Sequence, residues 1–363
     1  MSSSHAARIA FLHSIKAAKG HVTEPAIREC VVSLARNGDV RDAIRLANRY
    51  HYSPNLSSAI LQGISENRSG GIPHQLLVQI GPDTTAPEDI ENLMRIFAVK
   101  GIHPQHTFRE KLVRVVRKAV ENDSACIPLA IACLRRIKHE RKFLWKLYID
   151  QKSLDDTHMT TANISQMAGI NGWGEDRVRT ILSRRSSFLS DLSAAMLIKA
   201  LCHYPGNGSP ALVNEIVSAT ESKDKTKEPL LSPVIEYHAV NKEFDAIEDL
   251  VKLSKPNAEV FGKILHHAST DEVQFFKFFS LMIDEFRIHP TPSMVRAGID
   301  LALTSGSARS LVQILQSAHV AGVPVEESQM TRLVALTNSF QVPVRVRRRL
   351  RELVKLIDPS FIS

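Results

Sequence analysis

The sequence has few aromatic residues, which make up 6% of its 363 positions, and it has little β-strand pattern. No sustained alternation of Val, Ile and Thr lies between turn residues, and the nearest strand candidate, residues 76–80, is short and ambiguous. A β-sheet fold is therefore not indicated. We expect an all-α protein.

Cysteine is also scarce. The four cysteines, Cys30, Cys126, Cys133 and Cys202, are far apart, and none forms a Cys-x-x-Cys pair. Neither a zinc site nor a disulfide framework is indicated, and buried free thiols are expected. No run of 18 apolar residues occurs, so we expect no membrane insertion.

Catalytic motifs are missing too. There is no Walker loop, no Gly-x-Ser-x-Gly and no His-Glu-x-x-His. The adjacent histidines His266 and His267 point in different directions on a predicted helix. We therefore expect no catalytic residue, no metal site, no cofactor and no small-molecule substrate, and we interpret the chain as a binding protein rather than an enzyme.

What the sequence does contain is a regular spacing of proline. Pro256, Pro290 and Pro324 follow one another at intervals of 34 residues, and each closes a pair of predicted helices. This period is typical of solenoids, in which a helix-turn-helix unit buries its apolar face only by stacking on its neighbours. We therefore predict a tandem array of helical hairpins.

The clearest predicted unit spans residues 293–324. Its first helix has an apolar face of Met294, Val295, Gly298, Ile299 and Ala302, and its second has one of Leu311, Ile314, Leu315 and Ala318. Ser305, Gly306 and Ser307 break the chain between the two helices. Gly322 is placed for a left-handed cap just before the proline.

Two further stretches follow the same plan. Residues 257–290 place Val260, Phe261, Ile264 and Leu265 on one helix and Val273, Phe276, Phe279 and Met282 on the next. Near the N-terminus, Ile27, Cys30, Val31 and Leu34 precede a turn at 37–39, which is followed by Val40, Ala43, Ile44 and Ala47. The two ends of the chain thus share one design.

These units resemble the pentatricopeptide-repeat family, whose units pair two helices over about 35 residues and commonly end in a glycine, an apolar residue and a proline. The endings at 100–104, 288–290 and 321–324 resemble the family's endings. The tetratricopeptide pattern of Trp, Gly and Tyr at fixed offsets is missing. The resemblance implies a right-handed α-solenoid of antiparallel hairpins with a period near 34 residues, of which about ten would fill the chain.

Members of that family that read RNA sequence use polar side chains near the fifth position of each first helix and at the end of each unit. Alignment from the terminal prolines places Lys263, Ala297 and Thr331 near the first of these positions. Only Thr331 is small and polar. A code of one base per repeat is therefore not expected, and the departure favours binding by shape and charge, or a scaffold that holds protein partners.

The chain divides by pattern into several segments. We expect N-terminal helical repeats at 22–150, an irregular connector at 151–190, C-terminal helical repeats at 191–340 and an arginine-rich helix at 341–363. The connector contains Gly172-Trp173-Gly174, which loosely resembles the glycine-rich hairpin that holds a nucleic-acid phosphate. Its single copy and its spacing favour a linker, in which Trp173 packs rather than stacks on a base.

Residues 1–21 contain no Asp or Glu and are rich in Ser and Ala, with Arg8, Lys16 and Lys19 as basic residues. This composition is typical of a mitochondrial targeting segment, and a basic capping helix is the alternative. Many members of the resembled family work in mitochondria. We therefore expect a mitochondrial matrix protein.

The formal net charge of +8 favours an acidic partner, and basic residues form three clusters. The C-terminal cluster comprises Arg345, Arg347, Arg348, Arg349 and Arg351, with Val346, Leu350, Val354 and Leu356 expected to anchor its helix. The second comprises Arg135, Arg136, Lys138, Arg141, Lys142 and Lys146, with Trp145 and Tyr148 close by for stacking. The third comprises Arg109, Lys111, Arg114, Arg117 and Lys118. Each cluster is alternatively a solvated helix face.

Two functions remain open. In one, the chain binds RNA in mitochondrial RNA processing, stability or translation, as a subunit of a ribonucleoprotein such as the mitochondrial ribosome, and the first two clusters contact phosphates. In the other, it is a scaffold that holds protein subunits of a large mitochondrial assembly without direct RNA contact. Clustered arginine favours RNA. The missing base code favours the scaffold.

Overall fold

The computed structural model describes residues 23–50, 54–67, 86–100, 109–150, 157–184, 188–203, 209–337 and 342–358. In these ranges the chain is helical, and the one β-type pairing is an isolated bridge between Leu189 and Thr220. The chain divides into two compact units, residues 1–171 (unit 1) and 172–363 (unit 2). The expected targeting segment at 1–21 and the strand candidate at 76–80 lie outside the described residues.

Unit 1 is a stack of helical hairpins. Its described α-helices are α1 (Glu24–Arg36), α2 (Val40–Arg49), α3 (Pro54–Glu66), α4 (Pro87–Lys100), α5 (Arg109–Asn122), α6 (Ile127–Leu134), α7 (Arg141–Asp150) and α8 (Thr157–Asn171), with 3-10 turns at Ser124–Cys126 and Lys138–Glu140. Helices α1, α3, α4, α6 and α8 pack each on the next. They are therefore the first helices of successive hairpins, and α2, α5 and α7 are second helices.

Unit 2 repeats this arrangement. Its described α-helices are α9 (Glu175–Arg184), α10 (Asp191–Cys202), α11 (Pro210–Ser218), α12 (Leu231–Val240), α13 (Phe244–Leu253), α14 (Ala258–His267), α15 (Glu272–Ser280), α16 (Pro292–Ser305), α17 (Ala308–Ala321), α18 (Glu327–Thr337) and α19 (Val344–Ile357), and a π-helical turn follows α15 at Leu281–Glu285. The first helices α10, α12, α14, α16 and α18 pack in series. Each also packs on the second helix that follows it. The predicted all-α fold of stacked helical hairpins is confirmed.

Local sequence explains the hairpin of α16 and α17. Thr291 caps α16 by accepting a hydrogen bond from the backbone N–H of Met294, and Gly306 ends the helix in the left-handed region at φ 71°. Gly322 ends α17 with φ 64°, and the next N–H, that of Val323, reaches back to the carbonyl of Ala318 at 2.9 Å. The predicted left-handed cap at Gly322 is confirmed.

The predicted apolar faces are largely buried. All the residues named for α1, α14, α16 and α17 lie in the core. In α15 the prediction for Val273 was wrong, because this side chain is 75% exposed, whereas Phe275 and Phe278 are fully buried. The run Phe-Phe-Lys-Phe-Phe is apolar on more than one side, so its spacing does not select a single buried face.

The segment 151–190, expected to be an irregular connector, contains the two helices α8 and α9. The three residues between them begin with Gly172, which has a φ of 62° that favours glycine. Trp173 is 1% exposed, with the Arg177 guanidinium 5.1 Å from its ring centroid, so its ring is buried, as expected, and is not open for stacking on a base. The boundary between the two units falls at this turn.

Candidate nucleic-acid interface

Polar side chains tie the first helices of unit 1 together. Ser58 on α3 donates a hydrogen bond to the Asp89 carboxylate on α4 at 2.5 Å, and Ser65 donates to the Asn92 side-chain oxygen at 2.9 Å. The ion pair of Arg36 with Glu66 joins α1 to α3 in the same way. Side chains about one repeat apart in sequence therefore hold successive hairpins in register.

The first helices of unit 2 are joined similarly. Lys263 on α14 donates to the Ser232 hydroxyl at 2.9 Å and to the Glu236 carboxylate at 3.0 Å, both on α12. Lys263 is one of the three positions aligned with the family's base-reading residues, and here it joins two hairpins. Of the other two, Ala297 has no polar group, and Thr331 donates to the Glu327 carbonyl at 3.0 Å. These contacts are consistent with the expected lack of a base code.

Arg135 was predicted to contact RNA, and the structure contradicts this prediction. Its side chain is buried, with 5% of the residue exposed, and its guanidinium donates to the Ala98 carbonyl at 2.6 Å, the Val99 carbonyl at 3.1 Å and the Gln166 side-chain oxygen at 2.6 Å. Two of these acceptors are carbonyls near the end of α4, which lack helical partners. Arg135 therefore ties the end of α4 to α8 within unit 1.

Arg117 fixes α5 beside α7. Its guanidinium pairs with the Glu140 carboxylate at 2.7 Å and lies 4.6 Å from the centroid of the Phe143 ring. Glu140 is 8% exposed, so this ion pair lies at the joint between the two helices. Arg117, a member of the third predicted cluster, is thereby engaged within the protein.

The remaining cations around this joint are exposed. We call them the second-helix basic surface, which comprises Lys111, Arg114, Lys118, Arg136, Lys138, Arg141, Lys142 and Lys146. None of the eight has an ion-pair partner among the described residues. The structure thus brings the second and third predicted clusters together on neighbouring helices. Arg135 and Arg117 differ from the other members, because they bind other parts of the protein.

The expected stacking platform beside this surface is largely covered. Tyr148 is fully buried, and the half-buried Trp145 lies against it with ring centroids 5.6 Å apart. Burial of Tyr148 leaves only part of the Trp145 ring open to solvent. The basic surface therefore offers charge without an open pair of aromatic rings.

Sequence inspection missed a further basic stripe. Arg41, Arg45 and Arg49 follow one another at four-residue intervals on α2, and all three are exposed. Arg45 also pairs with Asp42 at 3.3 Å. The four-residue interval is the signal that could have identified the stripe, since residues i and i+4 share one side of a helix.

The C-terminal cluster lies on α19. Arg345, Arg348, Arg349 and Arg351 are exposed and Arg347 is half-buried. Glu352 lies 3.4 Å from Arg348 and 3.2 Å from Arg349, so one carboxylate partly neutralises both. The helix is anchored by Leu350, Leu353 and Val354. The prediction of Leu356 as an anchor was wrong, because this side chain is 56% exposed.

Charge differs sharply between the units. Residues 1–171 contain 23 Lys and Arg against 16 Asp and Glu, whereas residues 172–363 contain 23 against 22. In unit 2 six of the cations lie in α19 alone. Almost all of the net charge therefore belongs to unit 1.

Unit 2 contains a cleft of about 490 Å³ between the π-helical turn and α17. Its walls include Ile283, Asp284, Arg287, His289, Gln316 and Val320. Arg287 has φ 56°, a left-handed conformation that is uncommon for a residue with a side chain. The cleft thus combines an apolar wall with several polar groups.

We also looked among the described residues for reactive thiols, metal sites and membrane-spanning helices. Burial raises the pKa of the Cys133 thiol, and it raises that of Cys202 to about 12, so both stay protonated near neutral pH. No group of His, Cys, Asp and Glu in the described ranges could hold a metal ion. Among the same residues, no helix is both long and apolar enough to cross a membrane.

The fold and these surfaces define a helical-hairpin repeat protein. No family model matches the chain, and no curated protein matches it. Among solved structures, the chain is similar to the crystal structure of the pentatricopeptide repeat protein PPR10 from maize, with 12% identity and a TM-score of 0.48 over 97% of this chain. It spans 52% of that protein, about half its length.

Proposed function

We propose that this protein binds RNA without catalysing a reaction, through the second-helix basic surface of unit 1 and the arginines of α19. It acts in mitochondrial RNA metabolism or translation as a subunit of a ribonucleoprotein such as the mitochondrial ribosome. The observation that carries the proposal is the group of eight exposed cations on and beside α5 and α7 with no carboxylate partner among the described residues.

Unmatched cations at this density favour a polyanion. Each phosphate that a Lys or Arg neutralises releases condensed counterions, so such contacts give affinity that falls steeply with salt. Phosphate contacts need no base-reading side chains, which agrees with Lys263 being engaged by Ser232 and Glu236. The repeat fold, the positive surface and the missing base code therefore support binding to the RNA backbone.

The arginines of α19 supply a second contact. Their planar guanidinium groups can pair two phosphate oxygens at once. We expect the triple variant Arg345→Gln, Arg348→Gln and Arg349→Gln to weaken binding of a labelled RNA of about 20 nucleotides. The slope of log K against log salt should fall by an amount that corresponds to fewer than three phosphate contacts, because Glu352 already pairs with two of these arginines. An unchanged salt slope would remove α19 from the interface.

The mitochondrial placement rests on the composition of residues 1–21. Fusion of this segment to a fluorescent protein tests it directly. We expect the fusion to enter mitochondria, and replacement of Arg8, Lys16 and Lys19 by Glu to abolish import. A diffuse fusion would leave the RNA-binding proposal standing and remove the mitochondrial one.

The cleft beside the π-helical turn favours a second candidate function, that of a protein scaffold. It lies in unit 2, where residues 172–343 carry 17 Lys and Arg against 20 Asp and Glu, a balance that does not favour RNA. Val320, which is 73% exposed, and the amide of Gln316 suit a peptide segment. Affinity purification with wild type and Val320→Asp tests this, since a subunit that binds the cleft is lost only from the variant.

A further inference from the structure

The second-helix basic surface presents two rows of cations on neighbouring helices. On α5, Lys111 and Lys118 are about 10 Å apart along the helix axis, and on α7, Lys142 and Lys146 are about 6 Å apart. Arg117 on α5 pairs with Glu140 just before α7 and lies over the Phe143 ring on α7, so the two rows are on neighbouring helices. The surface can therefore contact phosphates from more than one backbone strand.

Single-stranded RNA is usually held differently. Proteins that bind it stack bases on exposed aromatic rings. Here Tyr148 is fully buried, Trp145 is half-buried against it, and Phe143 is covered by the Arg117 guanidinium. The surface thus lacks the feature that would make unpaired bases favourable ligands.

On the other side of the hairpins, polar side chains of described residues in unit 1 already have partners within the protein. On its first helices, Ser58 is hydrogen-bonded to Asp89 and Ser65 to Asn92. A base edge would have to displace these hydrogen bonds. The exposed cations of the second helices therefore remain the stronger contact for a nucleic acid.

From this geometry we infer that the second-helix basic surface recognises double-stranded RNA through its phosphate backbone. The inference rests on the proposed function and specifies its ligand. A-form duplexes are read mostly by shape and by phosphate and 2′-hydroxyl contacts across a wide, shallow minor groove. Cations on two neighbouring helices, joined through the contacts of Arg117 with Glu140 and Phe143, suit that groove. They do not suit the major groove of B-form DNA, about 12 Å wide, which admits a single projecting helix.

The experiment compares four labelled probes with the full-length protein in a salt series. The probes are an RNA duplex of about 20 base pairs, each of its two single strands, and the DNA duplex of the same sequence. The test variant is Lys138→Gln, Lys142→Gln and Lys146→Gln. The matched control removes three exposed cations from unit 2, with Lys225→Gln, Lys255→Gln and Arg309→Gln.

We expect the wild type to bind the RNA duplex at least about tenfold more tightly than either strand or the DNA duplex, near physiological salt. The test variant should lose most of this affinity, and its slope of log K against log salt should fall by up to about 2.7, whereas the control keeps both. Tighter binding of a single strand, or equal binding of the DNA duplex, would overturn the inference and leave RNA binding by this surface intact. Binding of none of the probes would contradict the proposed function itself.

Discussion

The second helices of the two units carry their charges in opposite ways. In unit 2, Glu248 on α13 accepts a hydrogen bond from Lys252 at 2.5 Å and pairs with Lys277 on α15 of the next hairpin. These hydrogen bonds hold the pKa of Glu248 at about 2. In unit 1, the eight cations around α5 and α7 have no such carboxylate among the described residues.

The charged side chains of unit 2 thus help to pack one hairpin on the next, whereas the eight cations of unit 1 are available to bind a partner molecule. Both units solve the same problem, since each hairpin must hold its neighbour in register. Unit 2 uses ion pairs such as that of Glu248 with Lys277, and unit 1 uses the buried contacts of Arg135 with the end of α4 and the ion pair of Arg117 with Glu140. The unmatched cations of unit 1 contribute nothing to stacking, and self-repulsion makes them costly unless an anion binds.

The largest expected effect comes from breaking a buried tie. Arg135→Ala should lower the free energy of unfolding by roughly 3 kcal/mol, because two carbonyls and a side-chain oxygen lose their donor. Its neighbour Arg136 is exposed, so Arg136→Ala should change stability by less than about 0.5 kcal/mol. Urea unfolding of both variants measures the contrast. Equal losses of stability would mean that the hydrogen bonds of Arg135 to Ala98, Val99 and Gln166 do not stabilise unit 1.

Neighbouring first helices lie closer together at Gly63 in unit 1 than at Gly262 in unit 2. A Cβ added to Gly63 on α3 would lie 2.5 Å from the Val32 carbonyl oxygen on α1, whereas one added to Gly262 on α14 would meet only the end of Met294 at 3.4 Å. We expect Gly63→Ala to cost about 2 kcal/mol through overpacking. Gly262→Ala should be neutral or stabilising by up to about 1 kcal/mol, because alanine favours helix. Similar thermal shifts for the two variants would contradict the close approach in unit 1.

Removing one lysine from each unit tests whether its charge contributes to the stability of the fold. Lys277→Gln should lower stability by less than about 1 kcal/mol, because it breaks a partly exposed ion pair between hairpins. Lys142→Gln should leave stability unchanged or raise it slightly, since it relieves repulsion. Chemical denaturation at low salt reports both values. A loss at Lys142 as large as that at Lys277 would show that the unit 1 cations do support the fold.

The smallest effect depends on pH. Because its folded-state pKa lies near 2, below the ordinary 4.5, Glu248 stabilises the fold above about pH 4.5, and this contribution is lost as the pH falls towards 2. Glu248→Gln should therefore be less stable than wild type by under about 1 kcal/mol at neutral pH, and the two should converge in acid. Unfolding measured from pH 7 to pH 2 follows the difference. A gap that stays constant over this range would show that the carboxylate charge is not its source.

Much of the fold could be predicted because its signals are local. The prolines at 34-residue intervals and the caps at Gly306 and Gly322 act within a few residues of their own positions. Apolar spacing identified most buried faces for the same reason. It did not identify which face of α15 is buried, because four phenylalanines lie within five residues there. It also did not identify that Leu353 is buried on α19 and Leu356 is exposed.

The candidate site was less predictable because burial depends on distant parts of the chain. Arg135 and Arg136 are adjacent and chemically identical in sequence, yet one is buried and the other exposed. What distinguishes them is the end of α4, 36 and 37 residues away, which offers carbonyls to Arg135. The contact of Arg117 with Glu140, which brings two clusters together, is likewise non-local.

The most direct test of RNA binding by unit 1 is ultraviolet crosslinking in cells with the tagged protein, followed by a denaturing purification and mapping of the crosslinked peptides. If RNA binds the second-helix basic surface and α19, crosslinks will lie within residues 109–150, concentrated around Arg136 to Lys146, with further crosslinks on α19. Recovery of no RNA above background, or of crosslinks confined to residues 209–337, would contradict RNA binding by unit 1.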